Sequence, residues 1–103
     1  SVEDVCRVLT VLYYAATFYA TIKEYDTSDV LLRRGVTICG ENHVTYYLAR
    51  IKYLQAENAY ANEFGQEEVK EIIRDAAAFA RLNKNTVLLE KIKVFEDRVA
   101  KGE

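Results

Sequence analysis

The sequence predicts an all-α fold: a four-helix bundle-like domain with one additional short helix or ordered loop between the first two long helices. Three observations carry this. Proline is absent from all 103 residues, where about 5% is usual, and helix interiors tolerate none. Apolar side chains recur at three- and four-residue spacing along most of the chain, as on helices with one buried face. The connections after the third helix are short and carry Gly or Asn, which stop and cap helices.

The first helix is expected over Val2–Tyr25. Ser1 is a natural N-cap, and Glu3 and Asp4 suit the positive end of the helix dipole. Val5, Val8, Leu9, Leu12, Ala15, Ala16, Tyr19 and Ile22 follow the spacing of a core stripe. Val11, Tyr14, Phe18 and Tyr25 form a second stripe. A helix packed on one side needs an apolar arc of only about 100°. The first helix is therefore central, or part of it meets another chain.

Asp26, Thr27 and Ser28 supply cap and turn chemistry. Val30–Arg34 reads as a short helix ended by a left-handed Gly35. Val36–Cys39 reads as extended, Gly40 as a turn and Asn42 as the next N-cap. A strand over Val30–Cys39 competes, but Arg33 and Arg34 interrupt its alternation.

The third helix is expected over His43–Phe64, with two apolar sectors. Val44, Tyr47, Leu48, Ile51 and Leu54 form one; Tyr46, Ala49, Tyr53, Ala56, Tyr60 and Phe64 form the other, roughly opposite. Gly65 stops it. The fourth helix, Glu67–Leu82, starts acidic and ends near Arg81 and Lys84, as the dipole prefers. Its core face is Val69, Ile72, Ile73, Ala76, Phe79 and Ala80. Asn85 caps the last helix, Thr86–Ala100, which buries Leu88, Leu89, Ile92, Phe95 and Val99.

A mass of 11.8 kDa is one helical domain, residues 1–103. With 50% apolar and 29% charged residues, the chain is not disordered. A net charge of -2 argues against a general polyanion binder. The uncharged run Val8–Ile22 is 15 residues long, short of the roughly 20 that a membrane span needs. Glu3 and Asp4 stand where a secretory leader carries positive charge. Two cysteines, Cys6 and Cys39, are fewer than a stapled secreted domain uses. The expected setting is the cytoplasm or another reducing compartment, and no cofactor is expected.

Candidate chemistry is sparse. Cys39 and His43 have the spacing of a thiol and its base at a helix start, with no visible third residue to orient them. Cys6, Cys39, Glu41 and His43 lack a zinc-site spacing. Arg33, Arg34, His43 and Arg50 could gather at the start of the third helix and hold an anion. That patch motivates a nucleic-acid alternative, which the overall charge disfavours.

The aromatic content stands out: eight tyrosines and four phenylalanines without tryptophan. Tyr46, Tyr53 and Tyr60 recur every seven residues with Ala49 and Ala56 between them. Such a seam admits a second helix at the alanines. That helix belongs either to the same chain or to a partner. The expectation is a non-enzymatic interaction module. It would bind itself as a dimer or small oligomer, or another helical protein, through Tyr46, Tyr53, Tyr60 and Phe64 with Val11, Tyr14 and Phe18 on the first helix.

Overall fold

The computed structural model describes residues 1–103. It is all-helical, with 84% of residues in helices and no strand. The helices are α1 (Val2–Thr21), α2 (Tyr25–Asn42), α3 (Tyr46–Ala61), α4 (Gln66–Leu82) and α5 (Thr86–Lys101). Two of the three expected side-chain N-caps form. Ser1 Oγ accepts from the Asp4 N–H at 3.3 Å, and Asn85 Oδ1 accepts from the Leu88 N–H at 3.1 Å.

The segment between the first two long helices departs from expectation. It is neither a short helix nor an extended loop but an 18-residue helix, α2. Gly35 does not end it. A Cβ at that position would stand 2.8 Å from Ile51 Cδ1 and 3.1 Å from Leu12 Cδ2. The glycine therefore lets α1 and α3 approach α2, and it remains helical. Gly40 is helical too, with open space around it. Asn42 is the last residue of α2 rather than an N-cap, and its Nδ2 donates to the Ile38 carbonyl at 2.9 Å. Consequently α1 stops at Thr21, and α3 begins at Tyr46 and ends at Ala61, leaving His43 and Phe64 in turns.

The helix-ending residues are not the expected ones. Left-handed backbone occurs at Lys23, His43, Glu63 and Lys84, and at one glycine, Gly102. After each, the next N–H reaches back five residues: Glu24 to Tyr19, Val44 to Cys39, Phe64 to Ala59, Asn85 to Ala80 and Glu103 to Arg98, all at 2.8–3.0 Å. This is the Schellman arrangement, which satisfies carbonyls at a helix end. Four of the five stops use a residue that carries a side chain.

Each helix packs on its sequence neighbours, with α3 against α4 and α1 against α2 the most extensive pairs. Weaker contacts join α1 to α3 and α3 to α5, and α1 does not meet α5. The two sectors expected on α3 both pack inward, apart from Tyr46 and Phe64 at the ends of the second, which are exposed. Ile51 and Leu54 join Leu9, Ala16, Leu32 and Cys39 in one cluster. Ala49, Ala56 and Ala59 join a larger cluster from α4 and α5, which includes Ile73, Ala76, Ala80, Ile92 and Phe95. Val8 and Ile22, expected in the core, are about half exposed. They share the outer face of α1 with Val11 and Phe18.

Polar side chains fix the register between neighbours. The buried Ser28 hydroxyl donates to the Ala16 carbonyl at 2.8 Å. Buried Asn58 donates from Nδ2 to Ser28 Oγ at 2.9 Å and to Asp29 Oδ1 at 3.1 Å. Thr10 and Tyr47 join their hydroxyls across α1 and α3. Thr45 and Asn83 exchange two hydrogen bonds, at 3.0 and 3.1 Å. Gln66 Nε2 donates to the Val99 carbonyl at 2.9 Å. Because an unpaired buried polar group costs about 1–3 kcal/mol, the buried Ser28 and Asn58 penalise a slipped register.

Candidate interaction surfaces

Two surfaces stand out, the outer face of α1 and a valley between α1 and α5. On α1, Val11 is 70%, Tyr14 64% and Phe18 58% exposed, and Val8 and Ile22 lie beside them. Helical spacing aligns these five along one face. No charged residue occurs between Arg7 and Lys23. The last helix is different. Its exposed Val87 and Val94 are interspersed with Glu90, Lys91, Lys93, Glu96, Asp97 and Arg98.

The tyrosine seam is divided. Tyr53 and Tyr60 are half-buried, and their rings meet Phe95 of α5 edge to face at centroid distances of 5.9 and 5.7 Å. Both pack on the α3–α4–α5 cluster, so the chain itself supplies the helix that approaches the seam. Tyr46 is exposed at the start of α3, and Phe64 is exposed in the turn after it.

The valley has α3 as its floor and α1 and α5 as its walls. One hollow of about 460 Å³ is lined by Thr17 and Thr21, by Glu57, Asn58 and Tyr60, and by Phe95 and Arg98. A second, of about 450 Å³, is lined by Tyr13, Tyr46, Arg50, Tyr53, Val87 and Lys91. Arg50 lies over the Tyr46 ring at 5.2 Å and donates to its hydroxyl at 3.1 Å. Arg98 lies 5.9 Å from the centroid of the Phe95 ring. Burial raises the Glu57 carboxyl above the ordinary carboxylate range, and nearby Arg98 and Lys91 only partly oppose this. Burial, reinforced by Glu57, pushes the Tyr53 phenol up to about 12.

The four basic residues expected at one helix start sit on different elements. Arg50 is in the valley, Arg33 and Arg34 are exposed on α2, and His43 is the left-handed cap of α2, three residues before α3 begins. Cys39 is buried near the C-terminal end of α2, and burial pushes its thiol up to about 11. A helix start would lower that value; burial away from one does the reverse. Both cysteines are free thiols. Cys6, Cys39, Glu41 and His43 are not gathered into a group able to hold a metal. No helix is long and apolar enough to cross a membrane.

Tyr13, Glu57, Lys91 and Arg98 were not singled out from sequence. They come together from α1, α3 and α5, which the sequence does not link, as linings of the two hollows. Neither a known protein family, nor a curated protein, nor a solved structure matches this chain.

Proposed function

We propose that this chain is a non-enzymatic assembly module that pairs with a second copy of itself through the outer face of α1. The supporting observation is the uncharged stripe Val8, Val11, Tyr14, Phe18 and Ile22, at least half exposed at every position. We read the five helices as an open stack rather than a closed bundle. Stacks of this kind need terminal helices with a polar outer face to stay soluble. The α5 end meets that requirement and the α1 end does not.

The stripe suits a twofold axis. In an antiparallel α1 pair centred between Tyr14 and Ala15, Val11 lies opposite Phe18 of the second copy and Val8 within one residue of Ile22. The small Ala15 at the crossing permits close approach, and Tyr14 covers the flank. One surface then serves both subunits, the commonest closed symmetry. The five side chains offer on the order of 500 Å² per subunit. About 1,000 Å² for the pair is at the low end for specific interfaces, so a dimer in the micromolar range follows.

Sedimentation velocity from about 1 to 500 µM tests this. Wild type should shift from monomer to dimer across that range. Phe18→Glu should remain monomeric with an unchanged circular-dichroism spectrum. A wild-type chain that stays monomeric throughout, or a Phe18→Glu chain that still dimerises, sinks the proposal.

A further inference from the structure

One hollow of the valley carries a chemistry separate from the α1 stripe, and its argument does not rest on self-association. We propose that the hollow lined by Thr17, Glu57, Asn58 and Tyr60, at the C-terminal ends of α1, α3 and α5, binds a primary ammonium group on a short alkyl stem. The nitrogen donates its protons to oxygens of Thr17, Glu57 and Asn58, and the stem lies on the rings of Tyr60 and Phe95.

The hydrogen bonds already made by the lining leave mostly acceptors facing this hollow of about 460 Å³. Asn58 is only 2% exposed. Its Nδ2 is held by two acceptors: Ser28 Oγ, whose own proton goes to the Ala16 carbonyl, and Asp29 Oδ1. The amide oxygen therefore points the other way. It accepts no bond from the chain, yet no fully enclosed side-chain polar atom is left unpaired, so Oδ1 opens onto the hollow that Asn58 lines. An acceptor this deep favours a ligand that brings a proton. The hydroxyls beside it have spent theirs. Thr17 donates to the Tyr13 carbonyl, Thr21 to the Thr17 carbonyl and Tyr60 to the Glu103 carbonyl, each at 2.9 Å. Their oxygens keep lone pairs for a ligand. Glu57 adds a half-buried carboxyl. Among the lining side chains, Arg98 and the Tyr25 hydroxyl alone retain protons to give.

Side-chain charge by itself does not select the ligand. Glu57 and Arg98 are the charged residues of the lining. Asp29 stands behind Asn58, Glu103 beside Tyr60, and Lys91 faces Glu57 from α5 together with Arg98. Neither cation closes an ion pair with Glu57. Helix ends tip the balance. The last turns of α1 and α3 carry no basic residue, whereas that of α5 holds Arg98 and Lys101. Lys23, just past α1, is exposed and off the lining. The negative ends of two helix dipoles thus border the hollow with no cation in their last turns. A primary ammonium brings both a positive charge and three N–H donors; an anion brings neither. A free alkylamine and a lysine side chain of a partner protein present this same group.

The test is an amide-shift NMR titration of the full chain with n-butylammonium at constant ionic strength. Saturable shifts at Thr17, Asn58 and Tyr60 are expected, with a Kd of about 1–10 mM. Butyltrimethylammonium has the charge without an N–H, and n-butanol lacks the charge; each should bind about tenfold more weakly or worse. Glu57→Gln should weaken n-butylammonium about tenfold, while Phe18→Glu leaves it unchanged. If Glu57→Gln disturbs the helix signal, Thr17→Val replaces it, with a loss of about threefold. Two further probes separate the sources: acetyl-lysine amide binding more tightly than putrescine marks a partner's lysine, and the reverse marks a free polyamine. Either order supports the site. The proposal is overturned if n-butylammonium gives no saturable shifts at those residues, or if butyltrimethylammonium or n-butanol binds as tightly. A folded Glu57→Gln chain, or its Thr17→Val replacement, that binds n-butylammonium as wild type does overturns it too.

Discussion

Replacing Gly35 by alanine isolates the close approach of three helices. Gly35 and Gly40 lie in the same helix, both with ordinary backbone angles. In a helix interior, Gly→Ala is worth about 0.8–1.0 kcal/mol of added stability from propensity alone. Gly40 has open space around it and lies in the last turn, so Gly40→Ala should gain about 0.5 kcal/mol. At Gly35 the same gain meets a methyl group 2.8 Å from Ile51 Cδ1 and 3.1 Å from Leu12 Cδ2. Ile51 is fully buried, so its terminal methyl cannot swing into solvent, and Leu12 is buried as well. Overpacking of a dense core costs about 1–3 kcal/mol. The net for Gly35→Ala is a loss of about 1 kcal/mol, and the two variants should differ by about 1.5 kcal/mol. For a domain of this size that gap corresponds to roughly 6–12 °C in Tm. Thermal melts followed at 222 nm, run side by side with urea titrations, measure it directly. If Gly35→Ala stabilises as much as Gly40→Ala, the contact between α1, α2 and α3 is slack, and the reason given for the glycine is wrong.

Phe95→Ala should lower stability by about 4 kcal/mol, from cavity formation and the loss of two edge-to-face pairs; a urea-derived loss under about 2 kcal/mol would mean that the valley floor is loosely packed. Glu57 holds its proton more tightly in the folded state than in the unfolded one, so its effect on stability worsens as pH rises above the ordinary carboxylate value of about 4.3. Glu57→Gln should therefore match wild type near pH 3 and exceed it at pH 7; a stability difference that does not change with pH refutes this. Cys39, buried and with its thiol pushed up to about 11, should resist iodoacetamide at pH 8 in the native chain while Cys6 reacts. Comparable labelling of both in mass spectra would restore Cys39 as a candidate nucleophile.

Helix α4, helix α5 and the double-faced nature of α3 were legible in the sequence, because each rests on strong apolar periodicity over many residues. The second helix was not. Two glycines and the β-branched run Val36–Ile38 argue against helix locally, and only the packing of Leu32, Gly35 and Cys39 against α1 and α3 overrides that preference. Helix ends were misjudged for a related reason. Glycine marks left-handed backbone in sequence, but here Lys23, His43, Glu63 and Lys84 take that conformation. Aromatic spacing located the tyrosine seam without saying what covers it. Phe95 lies 35 residues beyond Tyr60, and no local pattern links them. The outer stripe of α1 was half legible: Val11, Tyr14 and Phe18 stood out, while Val8 and Ile22 were assigned to the core.

The sharing of α3 between two apolar clusters has a consequence for how the molecule opens. Helices α1 and α2 can detach by exposing the cluster around Leu9, Leu32 and Ile51. Helices α4 and α5 can detach by exposing the one around Ile73, Ile92 and Phe95. Neither event by itself frees α3, whose other face stays covered. Amide protons of Ile51, Leu54 and Ala56 should therefore exchange with solvent only through the rarest, global excursions, while those of α1 and α5 exchange through partial ones. The centre of the chain is in this sense a kinetic lock that both halves must leave before it yields.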